Sequence, residues 1–386
     1  MSKRRRGALL GFQRLRDNFE LVAKYGDSVP LYLFSDMFLR APHLRELFPV
    51  NMRNQRDRLM IALAFAVEHA ANLFEITPYL HQLARSHRKI GIGPEHYAEW
   101  NMSVLHAMRH FSGSGWSDEL ANEWREFLGD LSRTLLDGAR QDASTRPPRW
   151  SAEVISHERR AIDTAVIRLL VDKPFPYVPG QSAPIEVKKW PNMWRYYSMA
   201  NMPRQDNTIE IHVKGDGAVS KTLVCEVQEG DFLKLGAPVG TFTLNPNTER
   251  NILLIAGGTG FAPIKAILEH VIRLPVPPWV SLFVGAREPD GLYDLDIVRG
   301  WAERYSWLNI RAALSEVGAP DVAASGTVGE VVSRYGRWGG YDAYVCGPPA
   351  MVENTVSMLR ENGFSDNRIR LERFASAVTP TQRFAI

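Results

Sequence analysis

The sequence predicts a multidomain fold: an all-α domain, then an antiparallel β-barrel, then an α/β domain with a parallel sheet. Three observations carry this. Residues 8–142 show helical periodicity and almost no strand signal. Residues 150–248 break into short β-rich runs with turn residues between them. From Asn251 onward, apolar runs of strand length alternate with helical stretches. A chain of 386 residues can give each of these its own buried core. The expected domains are 1–142, 150–248 and 249–386, joined first by a linker at 143–149.

Taken in order, helical periodicity recurs at 29–39, 55–73, 77–88, 94–111 and 118–140. Asn54, Thr77 and Ser117 suit helix caps, Ser117 with Asp118 and Glu119 in the first turn behind it. Pro30, Pro42 and Pro94 suit first-turn or inter-helix positions. The polar stretch Gln141–Pro148 reads as a linker. Strands are expected at 150–157, 165–170, 183–187, 195–199, 208–213 and 232–235. Parallel strands follow at 251–256, 279–285, 308–313 and 341–346.

Composition narrows the function classes. The hydrophobic and charged fractions are 45% and 23%, those of a globular protein. The net charge of +3 is too small for a nucleic-acid-binding surface, and Lys3–Arg6 reads as a solvated tail. No apolar run approaches the roughly 20 residues that span a bilayer, so membrane insertion is not expected. Two distant cysteines, Cys225 and Cys346, exclude a cluster held by four cysteines and argue against a disulfide framework. A cytoplasmic location is the expectation.

The most informative stretch is Asn251–Ile264. A strand stops at Gly257, Gly258, Thr259 and Gly260, and Pro263 is expected to open an amphipathic helix. Glycine permits a tight turn and a close approach to a ligand, and the following helix N-terminus offers free N–H groups to a phosphate. Upstream stand Arg195-Tyr-Tyr-Ser198 and Gly217-Ala-Val-Ser220; downstream stand Cys346-Gly-Pro-Pro349 and Glu372-Arg-Phe374. This ordered series resembles the ferredoxin-reductase superfamily. The resemblance implies that Arg195 neutralises the FAD diphosphate, Tyr197 faces the flavin ring and Ser198 bonds flavin N5. It implies that backbone around Gly217, Val219 and Ser220 approaches the diphosphate. Cys346, Gly347 and Pro348 would lie beside the nicotinamide, with Phe374 covering the flavin. Arg287 and Glu288 stand where the adenosine ribose is expected; Glu288 favours NADH and Arg287 would suit a 2′-phosphate. NADH is the favoured coenzyme.

In the helical half, Leu83-Ala-Arg-Ser-His87-Arg followed by Ile92–Tyr97 resembles the proximal-histidine region of flavohemoglobins, and the likeness spans the whole chain. It implies that His87 ligates the iron of haem b and that Phe48 packs on the porphyrin. Gln55, 32 residues before His87, and Leu59 would face the distal ligand, and Tyr97 would support His87. Two departures stand out. Phe34 occupies the position of a distal tyrosine whose phenol would hydrogen-bond bound O2, a loss that Gln55 or Tyr32 would have to compensate. The acidic partner expected for Tyr97 falls at Ala139, with Asp137 and Asp142 nearby.

The implied activity is NAD(P)H-dependent nitric oxide dioxygenation. Electrons would pass from NAD(P)H through FAD to haem, and NO and O2 would be converted to nitrate with no separate redox partner. Two other readings stand beside it. One keeps the redox chain with a different substrate or donor, such as peroxide or haem redox chemistry, or lactate. The other is an O2 carrier or gas sensor kept ferrous by its own reductase.

Overall fold

A computed structural model describes residues 3–246, 248–316 and 323–374. The chain divides into two compact units, one running to Arg149 and the next beginning at Trp150. The outer ends of the expected first and last domains lie outside the described residues.

The first unit holds α1 (Lys3–Ala23), α2 (Ser28–Arg40), α3 (Arg53–Glu68), α4 (Thr77–Lys89), α5 (Pro94–Ser112) and α6 (Asp118–Ala143). Helix α1 was not among the expected helices, and its backbone begins at Lys3 where a tail was expected. Ser117 caps α6 as expected, accepting from the Leu120 amide at 3.2 Å. Asn54 and Thr77 do not cap: α3 starts at Arg53 and α4 at Thr77, so both sit inside the first turn. The expected helix at 55–73 stops at Glu68, and a 3-10 turn, Leu73–Ile76, leads into α4. Along α6, Leu120, Trp124, Phe127, Leu128, Leu131 and Leu135 form the buried stripe of a 3.6-residue period. Helices α4 and α6 pack closely because position 138 is glycine. A Cβ there would stand 2.6 Å from His81 Cδ2 and 2.9 Å from its Cα.

The second unit begins with a barrel of β1 (Trp150–Ala161), β2 (Thr164–Val171), β3 (Ser182–Glu186), β4 (Arg195–Ser198), β5 (Thr208–Lys214) and β6 (Phe232–Leu235), with a helix α7 (Ala218–Cys225) inserted after β5. Strand order is β4-β3-β6-β1-β2-β5, and a bridge from Met199 to Ile211 closes the ring. Helix α7 was not foreseen; its eight residues follow a strand within a β-rich region.

The same unit continues with β7 (Asn251–Gly257), α8 (Phe261–Ile272), β8 (Val280–Ala286), α9 (Leu295–Arg304), β9 (Leu308–Leu314), β10 (Ala324–Ser325), α10 (Val328–Tyr335), β11 (Tyr341–Gly347), α11 (Pro349–Glu361) and β12 (Ile369–Arg373). The strands are parallel in the order β10-β9-β8-β7-β11-β12. Residues Ile252–Ala256 are fully buried, as a central strand covered on both faces requires. Helix α8 departs from expectation. It starts at Phe261, two residues before Pro263, and Phe261–Leu268 are all buried, so it is not amphipathic.

Candidate functional site

In the first unit, α4 carries His87 and α5 carries Tyr97, whose hydroxyl lies 2.9 Å from His87 Nδ1. Burial and the Lys89 charge push the imidazole down to about 4, so the ring is neutral. A neutral ring donating Nδ1–H to Tyr97 Oη leaves the Nε2 lone pair available. No described residue bonds Nε2. This donor set fits one axial haem ligand. Among the described residues, no group of three metal-ligating side chains competes with it.

Among the described residues, no carboxylate bonds Tyr97. Ala139 packs against the core. Asp142, three residues on, is taken by Arg85 at 3.0 Å and by Arg88, both from α4. Asp137 pairs with Arg140 at the surface. A shift of two or three residues therefore does not restore the acidic partner.

On the side expected to be distal, Phe34, Phe38 and Phe48 form an aromatic triangle with centroids 5.4–5.8 Å apart. Arg45 fixes the Phe48 corner by donating to the carbonyls of Phe48 at 3.0 Å and Pro49 at 3.1 Å. A cavity of about 390 Å³ opens beside this triangle, lined also by Leu31, Val50, Met52 and Arg56. Leu59, on α3, packs against the same core. Gln55, also on α3, is half-buried, and no described residue bonds its amide. Tyr32 is engaged elsewhere: its ring stacks on His110 at 4.5 Å, on α5.

In the barrel, Arg195 and Tyr197 share one face of β4, the strand at one end of the sheet order. The Arg195 guanidinium donates to the Trp194 carbonyl at 3.0 Å. Ser198 ends the strand, buried, and no described residue bonds its hydroxyl. Val219 lies in the barrel core. The Ser220 hydroxyl accepts from the Gly217 amide at 2.9 Å and the Asp216 amide at 3.1 Å. The side chains of Val219 and Ser220 thus hold the turn, and what the turn offers an anion is main-chain N–H at the start of α7. An unpartnered hydroxyl, a cation and an open turn fit FAD.

The nicotinamide site follows from topology. Chain order reverses between β7 and β11, and the crevice outside the carboxyl ends of such strands is where ligands bind. Gly257–Gly260 and Cys346–Pro348 meet there, since Ala256 pairs with Cys346. A Cβ on Gly260 would stand 2.3 Å from the Cys346 carbonyl oxygen, so only glycine permits this approach. Gly258 has φ 53° and open space where a side chain would project, which leaves a cradle. Thr259 sits between them, half-buried. The Phe374 amide donates to the Gly347 carbonyl at 3.1 Å, which places Phe374 beside this strand end. Cys346 is fully buried, and burial with the Glu372 charge pushes its thiol up. It packs as a protonated thiol and is no nucleophile. Arg287 and Glu288 follow β8 at the surface, and Arg287 lies 3.8 Å from Glu316.

Comparison with known proteins agrees with this arrangement. A globin family model matches residues 31–135, an oxidoreductase FAD-binding domain 151–244 and an oxidoreductase NAD-binding domain 254–357. The flavohemoprotein of Bordetella parapertussis is 26% identical over 392 residues, covering 92% of this chain and 95% of its own. The chain belongs to the flavohemoglobin family. A flavohemoglobin structure from Malassezia yamatoensis, solved with bound FAD and haem, shares the fold with a TM-score of 0.73 at 16% identity, covering 95% of this chain and 98% of its own. The reductase half is also 30% identical to reductase component 1 of a Comamonas terephthalate 1,2-dioxygenase, covering 60% of this chain and 70% of that one. As a flavohemoglobin-family oxidoreductase the chain uses haem, FAD and NAD(P)H. Among the described residues no helix is long and apolar enough to cross a membrane.

Sequence reasoning missed one cluster in the second unit. Glu210 and His212 on β5 are buried against Lys265 of α8 and the Tyr293–Asp294 pair. A signal existed: Lys265 interrupts the otherwise apolar run Phe261–Leu268.

Proposed function

We propose that this flavohemoglobin is a nitric oxide dioxygenase that draws electrons from NAD(P)H, with NADH preferred, and converts NO and O2 to nitrate. The observation that carries the reading is His87. It is a half-buried, neutral imidazole with Nδ1 held by Tyr97 and Nε2 bonded by no described residue, in a chain that carries its own oxidoreductase domains. When bound, haem supplies gas binding and one-electron redox chemistry, and FAD splits the two electrons of the nicotinamide into single ones.

The residues around these groups have separable tasks. Tyr97 holds the His87 ring in one orientation and one tautomer. Phe34, Phe48 and Leu59 keep the distal space apolar and exclude water, while the Gln55 amide offers N–H donors into it. Arg195 neutralises the diphosphate, Tyr197 supplies an aromatic face for the flavin, and the Ser198 hydroxyl is a donor for the flavin edge. The amides following Gly217 and the Gly257–Gly260 turn receive the two diphosphates. Cys346, Gly347 and Pro348 shape the nicotinamide site, and Phe374 occupies it when no coenzyme is bound. Glu288 accepts from ribose hydroxyls. Glu316 lies close enough to Arg287 to weaken its attraction for a 2′-phosphate.

The test is NO consumption by holoprotein with O2 and either coenzyme. The expected result is rapid, O2-dependent loss of NO with stoichiometric nitrate, and a higher kcat/KM for NADH than for NADPH. Consumption no faster than that by free haem with reductant overturns the reading.

A further inference from the structure

We infer that a buried ionic dock between the barrel and the nicotinamide domain, built on Glu210, His212, Lys265 and Tyr293, is a positioning device for hydride transfer to the flavin. The inference rests on the reductase half of the proposed function.

An ordinary barrel strand turns one face to the core and the other to water. In β5, Ile209, Ile211 and Val213 fill the barrel core. Glu210 and His212 point the other way, yet they are only 3% and 4% exposed. The nicotinamide domain covers them. Glu210 takes the Lys265 ammonium from α8, His212 Nε2 at 3.2 Å, and Arg168 Nε from β2 at 3.1 Å. His212 Nδ1 lies 2.9 Å from the Tyr293 hydroxyl. Next to it, Asp294 accepts from Arg160 Nε of β1 at 2.9 Å.

Two arguments make this more than glue. Buried ion pairs are poor sources of stability, because well-packed apolar residues of the same volume often do as well or better. What charges and directional hydrogen bonds add is a single relative orientation. The second argument is place. Lys265 lies on α8, which leaves the Gly257–Gly260 turn directly, and Tyr293 and Asp294 pack around the same small void as Gly258 and Phe261. The dock therefore fixes the helix that receives the dinucleotide relative to the barrel that carries Arg195, Tyr197 and Ser198. In the reaction, one hydrogen leaves the nicotinamide with both electrons and arrives at the flavin, and NAD(P)+ remains. Such a transfer needs the reacting atoms about 3–3.5 Å apart, and a misplacement of about 1 Å can cost about 100-fold. The dock residues act through α8 and the turn, which makes them positioning residues.

The experiment uses full-length holoprotein with Tyr293→Phe, which removes one hydroxyl, and with the paired change Glu210→Gln plus Lys265→Met, which removes both charges together. Flavin reduction is followed anaerobically against NADH and 4-deuterated NADH. A second readout needs no turnover: the long-wavelength absorbance that the unreactive analogue tetrahydro-NAD develops on stacking against the flavin. The expected result is a limiting reduction rate lower by about ten-fold or more, a larger deuterium isotope effect and a weaker stacking absorbance. The Kd for NADH, the FAD content and the thermal transition of Tyr293→Phe stay at wild-type values. An unchanged limiting rate and absorbance in folded Tyr293→Phe, or a change confined to Kd, overturns the inference. If the paired variant does not fold, Tyr293→Phe decides alone. Wild-type holoprotein whose flavin NADH does not reduce overturns the reductase reading itself, and the inference with it.

Discussion

At the distal side of the globin unit, Phe34 is the proposed control on how long O2 is held. It stands in an aromatic triangle with Phe38 and Phe48, with no hydroxyl in that group, and Tyr32 is turned away onto His110. A hydrogen bond to a charged acceptor contributes about 1.5–3 kcal/mol, and about 1.4 kcal/mol is ten-fold in an equilibrium. Phe34→Tyr should therefore slow O2 dissociation from the reduced haem by about 10- to 100-fold, measured by stopped-flow displacement with CO. An unchanged rate would mean that Gln55 already supplies the donor. Residues of this kind were legible because each belongs to a spaced motif: His87 with Tyr97 ten residues on, or the glycines after an apolar strand. The fate of the proximal carboxylate was not legible. Counting along the chain puts Ala139 and Asp142 in contention, whereas only the packing of α4 on α6 shows Arg85 and Arg88 taking Asp142.

Among the elements, β5 teaches most about what periodicity omits. Its alternation of Ile209, Ile211 and Val213 with Glu210 and His212 reads as a strand with one wet face. The strand is there, but that face is buried by a domain encoded later in the chain. Helices α1 and α7 were missed for local reasons, one behind a basic run and one short and surrounded by strands. The buried face of β5 has a consequence for acid stability. Burial alone would push the Glu210 carboxyl up, but the His212 hydrogen bond and the Lys265 charge outweigh it and hold the group well below its usual value of 4.5. A carboxyl depressed in the folded state contributes stability that is complete above the unfolded value and is lost as pH falls through the folded one. Acidification below 4.5 should therefore erode the stability of the reductase unit. Glu210→Gln should lower that stability by about 3 kcal/mol at neutral pH and flatten its acid dependence. Urea unfolding read by flavin fluorescence at both pH values checks this; a variant as stable as wild type at neutral pH, with the same acid slope, contradicts it.

For the whole molecule, the decisive fact is that a globin and its reductase are one chain. The order of helical, barrel and α/β patterns was readable because each pattern has its own period, and the junction shows as a polar, proline-containing stretch between α6 and β1. On the proposed electron path, covalent linkage makes delivery to the haem an intramolecular event. A short flexible linker holds its two ends at an effective concentration of about 1 mM. Separate halves at about 1 µM would meet about 1,000-fold less often, unless they bind each other tightly. A protease site placed within residues 143–149 tests this. After cleavage, NADH should still reduce FAD at the wild-type rate, because the residues proposed for that step lie within the second unit. Haem reduction by NADH should instead become second order in protein and fall by about 100- to 1,000-fold at micromolar concentration. It should recover as the halves are concentrated. Haem reduction that stays fast and independent of concentration after cleavage would show that the halves hold together without the linker. The single chain would then have another physical reason than electron delivery.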